Sequence, residues 1–147
     1  VAPLDGGRLV SGSDDTTLIV WAVGDYGFFV ADTLSGHTGG VWCVAQLDGG
    51  RIVSGSYDKT LKVWAAGDDG AWAAQTLRGH TDAVVCVAPL KDGRLVSGSY
   101  DKTLIVWAAG DDGVFAAAQT RAVRLLLRPR SSCRTIMLPW PGWWKTT

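Results

Sequence analysis

Hydrophobic positions along this chain fall into short runs, and the runs return. Arg-Leu-Val-Ser-Gly-Ser at 8–13 comes back as Arg-Ile-Val-Ser-Gly-Ser at 51–56 and as Arg-Leu-Val-Ser-Gly-Ser at 94–99. Thr-Leu-Ile-Val-Trp at 17–21 comes back as Thr-Leu-Lys-Val-Trp at 60–64 and Thr-Leu-Ile-Val-Trp at 103–107. Trp21, Trp64 and Trp107 are therefore 43 residues apart, as are Gly36-His37 and Gly79-His80. Self-similarity at a fixed period of this size marks an array of one supersecondary unit that buries its faces by stacking on its neighbours.

Each unit predicts four strands. In the second they span 41–47, 51–56, 60–65 and 71–77, and the intervening residues are Asp48-Gly49-Gly50, Tyr57-Asp58-Lys59 and Gly67-Asp68-Asp69-Gly70. Turn clusters between β-branched or aromatic runs are a hairpin signal. The run at 71–77 is alanine-rich and would pass alone for a helical turn, but the period makes it a strand. Alternation sets the faces. Leu61 and Val63 flank Lys62, whose counterparts are Ile19 and Ile105, so that position is expected to be half exposed and the Leu and Val to pack on a neighbouring unit. The expected fold is all-β: three blades of four antiparallel strands at about 1–35, 36–78 and 79–120, stacked radially as an incomplete β-propeller, with an irregular tail at 121–147.

Gly-His, a strand, a Ser-Gly-Ser strand, an Asp turn and a strand ending in Trp resemble the WD repeat over about residues 1–120. The usual Trp-Asp ending is Trp-Ala in all three units. The resemblance implies a hydrogen-bonded network of His37, Ser54, Asp58 and Trp64, a second of His80, Ser97, Asp101 and Trp107, and a partial one of Ser11, Asp15 and Trp21. The chemistry agrees. Indole N–H donates, Ser donates and accepts, and a carboxylate fixes the His tautomer, with the expectation that it raises the His pKa. The resemblance also implies a partner-binding face made of the Gly-His turn, the start of the innermost strand and the Asp turn. In this chain that face comprises Thr38, Gly40, Trp42, Asp14, Tyr57, Tyr100, Thr81, Ala83 and Val85. Trp42, Tyr57 and Tyr100 stand out because aromatic anchors carry much interface energy. The competing role is shielding of the turn for Tyr57 and Tyr100, and packing on a neighbouring blade for Trp42.

Composition narrows the functions. Hydrophobic residues make up 47% and charged residues 19%, which is globular. All 14 acidic residues are Asp, a turn former rather than a helix former. Residues 1–120 carry 8 basic against 14 acidic side chains, so this region repels phosphate and argues against nucleic acid. No run is long enough to span a bilayer and no secretory signal is visible. Cys43 and Cys86 occupy equivalent apolar sites and read as small buried thiols. They fit a reducing, intracellular setting in cytoplasm or nucleus.

Catalysis is disfavoured. His, Ser and Asp invite a hydrolase reading, but the same three types recur at the same spacing in two units, as structural networks do. Asp68-Asp69-Gly70 and Asp111-Asp112-Gly113 lack calcium-loop spacing, and the Asp-Gly-Gly turns lack the Lys and helix of a phosphate loop. No cofactor and no metal site is read. The expected function is a non-catalytic protein-interaction scaffold or adaptor whose partners are other proteins or peptides. The family offers adaptor roles in ubiquitin ligases, signalling and RNA-processing assemblies. A regulatory part of an enzyme whose catalytic domain lies elsewhere is the alternative.

The tail departs from the pattern. After Gln119-Thr120, which match Gln75-Thr76, the chain reads Arg121-Ala122-Val123-Arg124 where Leu-Arg-Gly-His is due. Residues 121–147 hold 6 basic and no acidic side chains. Three readings stand: a basic aromatic segment for a membrane surface or acidic partner, a linker, or an out-of-frame translation of a further repeat. Propellers close with about four to eight blades. Three blades are thus expected to be a fragment, with the natural start missing before Val1, or to self-associate to complete the propeller.

Overall fold

A computed structural model describes residues 1–122, and these form twelve strands in three four-stranded antiparallel sheets. The first sheet holds β1 (Ala2–Leu4), β2 (Arg8–Gly12), β3 (Leu18–Gly24) and β4 (Gly27–Leu34). The second holds β5 (Val41–Gln46), β6 (Ile52–Ser56), β7 (Leu61–Ala66) and β8 (Trp72–Leu77). The third holds β9 (Val84–Pro89), β10 (Leu95–Ser99), β11 (Thr103–Ala109) and β12 (Phe115–Ala122). Strand order follows chain order in each sheet, so every connection inside a sheet is a hairpin. The all-β reading holds, as blades of an incomplete propeller.

Most strands are a residue shorter than the pattern predicts, because the turns consume their ends. The Leu47 amide donates to the Arg51 carbonyl and the Ser56 amide to that of Thr60, so Leu47, Arg51 and Thr60 serve the turns. The Asp5-Gly6-Gly7 and Asp48-Gly49-Gly50 turns are single 3-10 turns whose glycines take left-handed φ of 71–73°. Glycine adopts that conformation without strain. The run at 72–77 is a strand, so the period outweighed alanine's low propensity. In the third sheet β12 continues through Arg121 and Ala122, two residues past the last match to the repeat. The readings of the tail from residue 123 onward lie outside the described residues. Among those described, no helix is long and apolar enough to cross a membrane.

The sheets stack radially. The first strands β1, β5 and β9 lie beside one another, whereas β8 and β12 are further apart and meet through the Gln75 side chain. Two cores result, one per join. Val10, Leu18 and Val20 of the first sheet pack with Ile52 and Trp64 of the second. Val53, Leu61 and Val63 of the second pack with Leu95, Ile105, Trp107 and Phe115 of the third. Leu61 and Val63 are thus buried on a neighbour as alternation predicts. The expectation for the opposite face needs correcting. Ile105 is buried rather than half exposed, because that face packs on the preceding sheet. Lys62 is half buried, and its ammonium donates to the Thr76 hydroxyl at 2.7 Å.

The repeated Ser-Gly-Ser has a packing cause. A Cβ on Gly55 would lie 2.6 Å from both Cys43 Sγ and Val84 Cγ1, and one on Gly12 would lie 2.5 Å from Val41 Cγ1. Only glycine lets the first strand of the next sheet come this close.

Candidate functional site

Two constellations deserve weight as sites, one buried at the joins and one exposed at the rim.

The buried one begins with His37, in the segment between β4 and β5, which brings the chain from the first sheet to the second. Its Nδ1 lies 2.7 Å from Asp58 Oδ2 and its Nε2 2.8 Å from Ser54 Oγ. The Trp64 indole N–H donates to the same Ser54 Oγ at 2.9 Å. With the imidazole neutral, one proton order satisfies every partner. Asp58 accepts from Nδ1–H, Ser54 donates to Nε2, and Trp64 donates to Ser54, which uses a neutral imidazole. The third sheet repeats the arrangement. His80 Nδ1 is 2.8 Å from Asp101 Oδ2, His80 Nε2 is 2.8 Å from Ser97 Oγ, and Trp107 donates to Ser97 at 2.9 Å. In the first sheet Trp21 donates to Ser11 at 2.9 Å, while Asp15 serves its own turn by accepting from the Thr17 amide and hydroxyl.

Sequence reasoning missed two members. Thr60 donates its amide and hydroxyl to Asp58 Oδ1 at 2.9 and 2.6 Å, and Thr103 does the same to Asp101. The Ser56 hydroxyl donates to the Gly39 carbonyl and accepts from the Asp58 amide. The signal was present: Thr stands two residues after Asp and Ser two before it in all three units. These bonds hold the turn in a demanding shape, since Thr16, Lys59 and Lys102 sit between them at φ of 79°, 71° and 66°.

Burial raises the Asp58 pKa, but hydrogen bonds from the Thr60 hydroxyl, the Thr38 amide, His37 and the Thr60 amide outweigh it and hold the carboxyl at about 2. Asp101 is held at about 2 in the same way, burial being overcome by Thr103, the Thr81 amide and His80. For His37 the expected rise is corrected. Burial lowers its pKa and outweighs both the hydrogen bond and the charge of Asp58, with Lys62 adding to the lowering. The His37 side chain has no solvent access, so desolvation of the cation dominates.

The connectivity Asp58–His37–Ser54 is that of a hydrolase triad, but Ser54 is fully buried and its oxygen already receives the Trp64 N–H. What the arrangement does chemically is fasten the Gly-His segment to the Asp turn. Every buried side-chain polar atom among the described residues has a partner.

The exposed constellation is aromatic. Trp42 is 39% exposed, Tyr57 60% and Tyr100 44%. The Trp42 ring centroid lies 5.4 Å from that of Tyr57 and 5.7 Å from that of Tyr100, the latter edge-on at 79°. Trp42 sits where the β5–β6 register shifts, between Val41 and Cys43, and such bulges re-aim a side chain. Tyr57 comes from the β6–β7 turn and Tyr100 from the β10–β11 turn, so the cluster spans two sheets. The backbone positions them: the Tyr57 amide donates to the Gly40 carbonyl and the Tyr100 amide to that of Ala83. Asp14 borders the cluster, where a Cβ on Gly40 would lie 2.9 Å from its Oδ1. Thr38 and Thr81 are exposed, with their amides bound to Asp58 and Asp101, and Val85 is half buried. Ala83 is 0% exposed, so it offers a partner no surface and leaves the proposed face.

Residues 2–22, 30–65 and 73–108 match the family model described as WD domain, G-beta repeat. The second and third matches each begin on the outermost strand of one sheet and end on the third strand of the next. No curated protein matches the chain.

Proposed function

Because the chain belongs to the WD-repeat family, whose domains generally mediate protein–protein interaction and are typically non-catalytic, we propose that it is an interaction module that captures a protein or peptide through Trp42, Tyr57 and Tyr100. The observation that carries this is the aromatic trio itself. Three large rings from two sheets are held against one another and remain 39–60% exposed. Rigid aromatic groups give contact area at low cost in side-chain entropy, and they dominate binding hot spots. A partner that lays an apolar side chain beside Trp42 would meet Asp14 as a polar neighbour. The buried His–Ser–Asp sets then serve as fasteners that keep the turns carrying Tyr57 and Tyr100 in register, rather than as reacting groups.

The test is capture of partners by the chain and by a variant with alanine at 42, 57 and 100. The variant should lose the captured proteins while keeping its circular dichroism spectrum and melting temperature. Identical capture by the two proteins would place binding elsewhere.

A further inference from the structure

The outer half of the second sheet carries two cations that the other two repeats lack. Lys62 stands where they have Ile19 and Ile105. Arg78 follows Leu77 at the end of β8, and the residues that follow the matching Leu34 and Arg121 are Ser35 and Ala122. Both basic side chains line one cleft of about 90 Å³, which is bordered by Gly36 and Thr38 of the Gly-His segment and by Asp58 and Thr60 of the Asp turn. In the third sheet the same place is apolar. A Cβ on Gly79 would lie 3.1 Å from Ile105 Cδ1, whereas a Cβ on Gly36 would meet Lys62 Cε at 3.6 Å. The lysine stem takes over the packing of the isoleucine, and its ammonium makes the cleft polar.

The two cations are not matched by the fold. Among the described residues the ion pairs are His37 with Asp58, His80 with Asp101 and Arg94 with Asp92, so Lys62 and Arg78 are in none. Asp58 is the one carboxylate on the cleft wall. Its oxygens already accept from His37, the Thr38 amide, and the Thr60 amide and hydroxyl. The Lys62 ammonium donates once, to the Thr76 hydroxyl at 2.7 Å, and Thr76 keeps its own proton to donate. Half burying an ammonium without a counter-charge costs free energy that a bound anion offsets.

We propose that this cleft binds a single phosphate group, as inorganic phosphate or as the monoester of a phosphorylated side chain, between Lys62 and Arg78. A guanidinium fork and a point charge suit a tetrahedral dianion, and the Thr38 and Thr76 hydroxyls add neutral donors. A cleft of this size takes one such group. Residues 1–120 carry 8 basic against 14 acidic side chains, so a polyanion is repelled over the wider surface. One phosphate group, screened beyond about 8 Å at physiological ionic strength, feels chiefly the two local cations.

Nuclear magnetic resonance titration of the full chain tests this, with inorganic phosphate in one arm and O-phosphothreonine in the other, at ionic strength held constant with sodium chloride. Saturable amide shifts are expected at Gly36, Thr38, Thr76 and Arg78. Saturation by O-phosphothreonine at the lower concentration assigns the site to a phosphorylated side chain; saturation by phosphate at the same or a lower concentration assigns it to the free ion. Lys62→Ile installs the residue of the other two repeats, so it should keep the fold and weaken binding by about tenfold or more. Arg78→Ser, the first repeat's residue, should act likewise. Lys91→Ala, which removes a cation from the β9–β10 turn, should leave binding unchanged. No saturable shift with either probe overturns the proposal, as does binding by Lys62→Ile and Arg78→Ser that equals the wild type.

Discussion

His37 Nδ1 lies 2.7 Å from Asp58 Oδ2, and the bond ties the segment arriving from the first sheet to a turn of the second. It makes stability depend on pH through two groups with depressed pKa values. Burial first, against the pull of Asp58, keeps His37 below its ordinary 6.5, so the folded chain binds fewer protons than the unfolded chain as pH falls through that value. Asp58 and Asp101 are held at about 2 against an ordinary 3.8, which acts in the same sense at lower pH. Stability is then full above the ordinary histidine range. It falls as pH drops through 6.5 toward the folded His37 value, and falls again between about 4 and 2. Melting curves from pH 8 down to 5 should show the first loss, and His37→Gln should flatten it. A wild-type melting temperature that does not move over that span contradicts the neutral, buried imidazole.

His80→Ala removes the group that joins Ser97 to Asp101. Leaving buried polar partners unpaired costs about 1–3 kcal/mol. For a domain of this size that is a drop of roughly 3–12 °C in melting temperature, readable by calorimetry. Ser97→Ala, which strands the Trp107 N–H as well, should cost at least as much.

Gly55→Ala tests the close approach of sheets two and three. The added Cβ would meet Cys43 Sγ and Val84 Cγ1 at 2.6 Å, and neither is the tip of a flexible chain. Overpacking of this kind costs about 1–3 kcal/mol, visible as an earlier urea midpoint at unchanged slope. The same change at Gly49, with nothing within 4 Å but φ of +73°, should destabilise through backbone strain alone.

Lys59→Gly should act in the opposite direction. Lys59 is exposed and sits at φ 71°, a conformation that costs a side chain about 1–2 kcal/mol. Glycine removes that strain but adds unfolded-state entropy, for a net gain of up to about 1 kcal/mol in urea unfolding. A loss would mean that the Lys59 side chain contributes more than its backbone geometry costs.

The strand number and the hairpin order were legible from the chain, because each follows from local rules, whereas the joining of His37, Ser54, Asp58 and Trp64 was implied by the resemblance to the WD repeat. Period-two alternation, turn residues at fixed offsets and a 43-residue repeat act over a few residues and are copied three times. Thr60 and Ser56 escaped notice although their spacing to Asp58 recurs, because hydroxyls near turns are common and the spacing alone does not say which oxygen they reach.

What the sequence could not decide was anything that depends on a neighbour. Lys62 and Ile105 share one place in the repeat, yet one is half buried with its ammonium on the Thr76 hydroxyl and the other is sealed. Gly40 and Ala83 read as equivalent surface positions, but Gly40 is half buried and Ala83 fully buried. The sign of the His37 shift was decided the same way. A carboxylate beside an imidazole raises its pKa in water, and only the packed join supplied the desolvation that reverses it. Local sequence determined the sheets. Which of their faces are closed followed from how one sheet lies on the next.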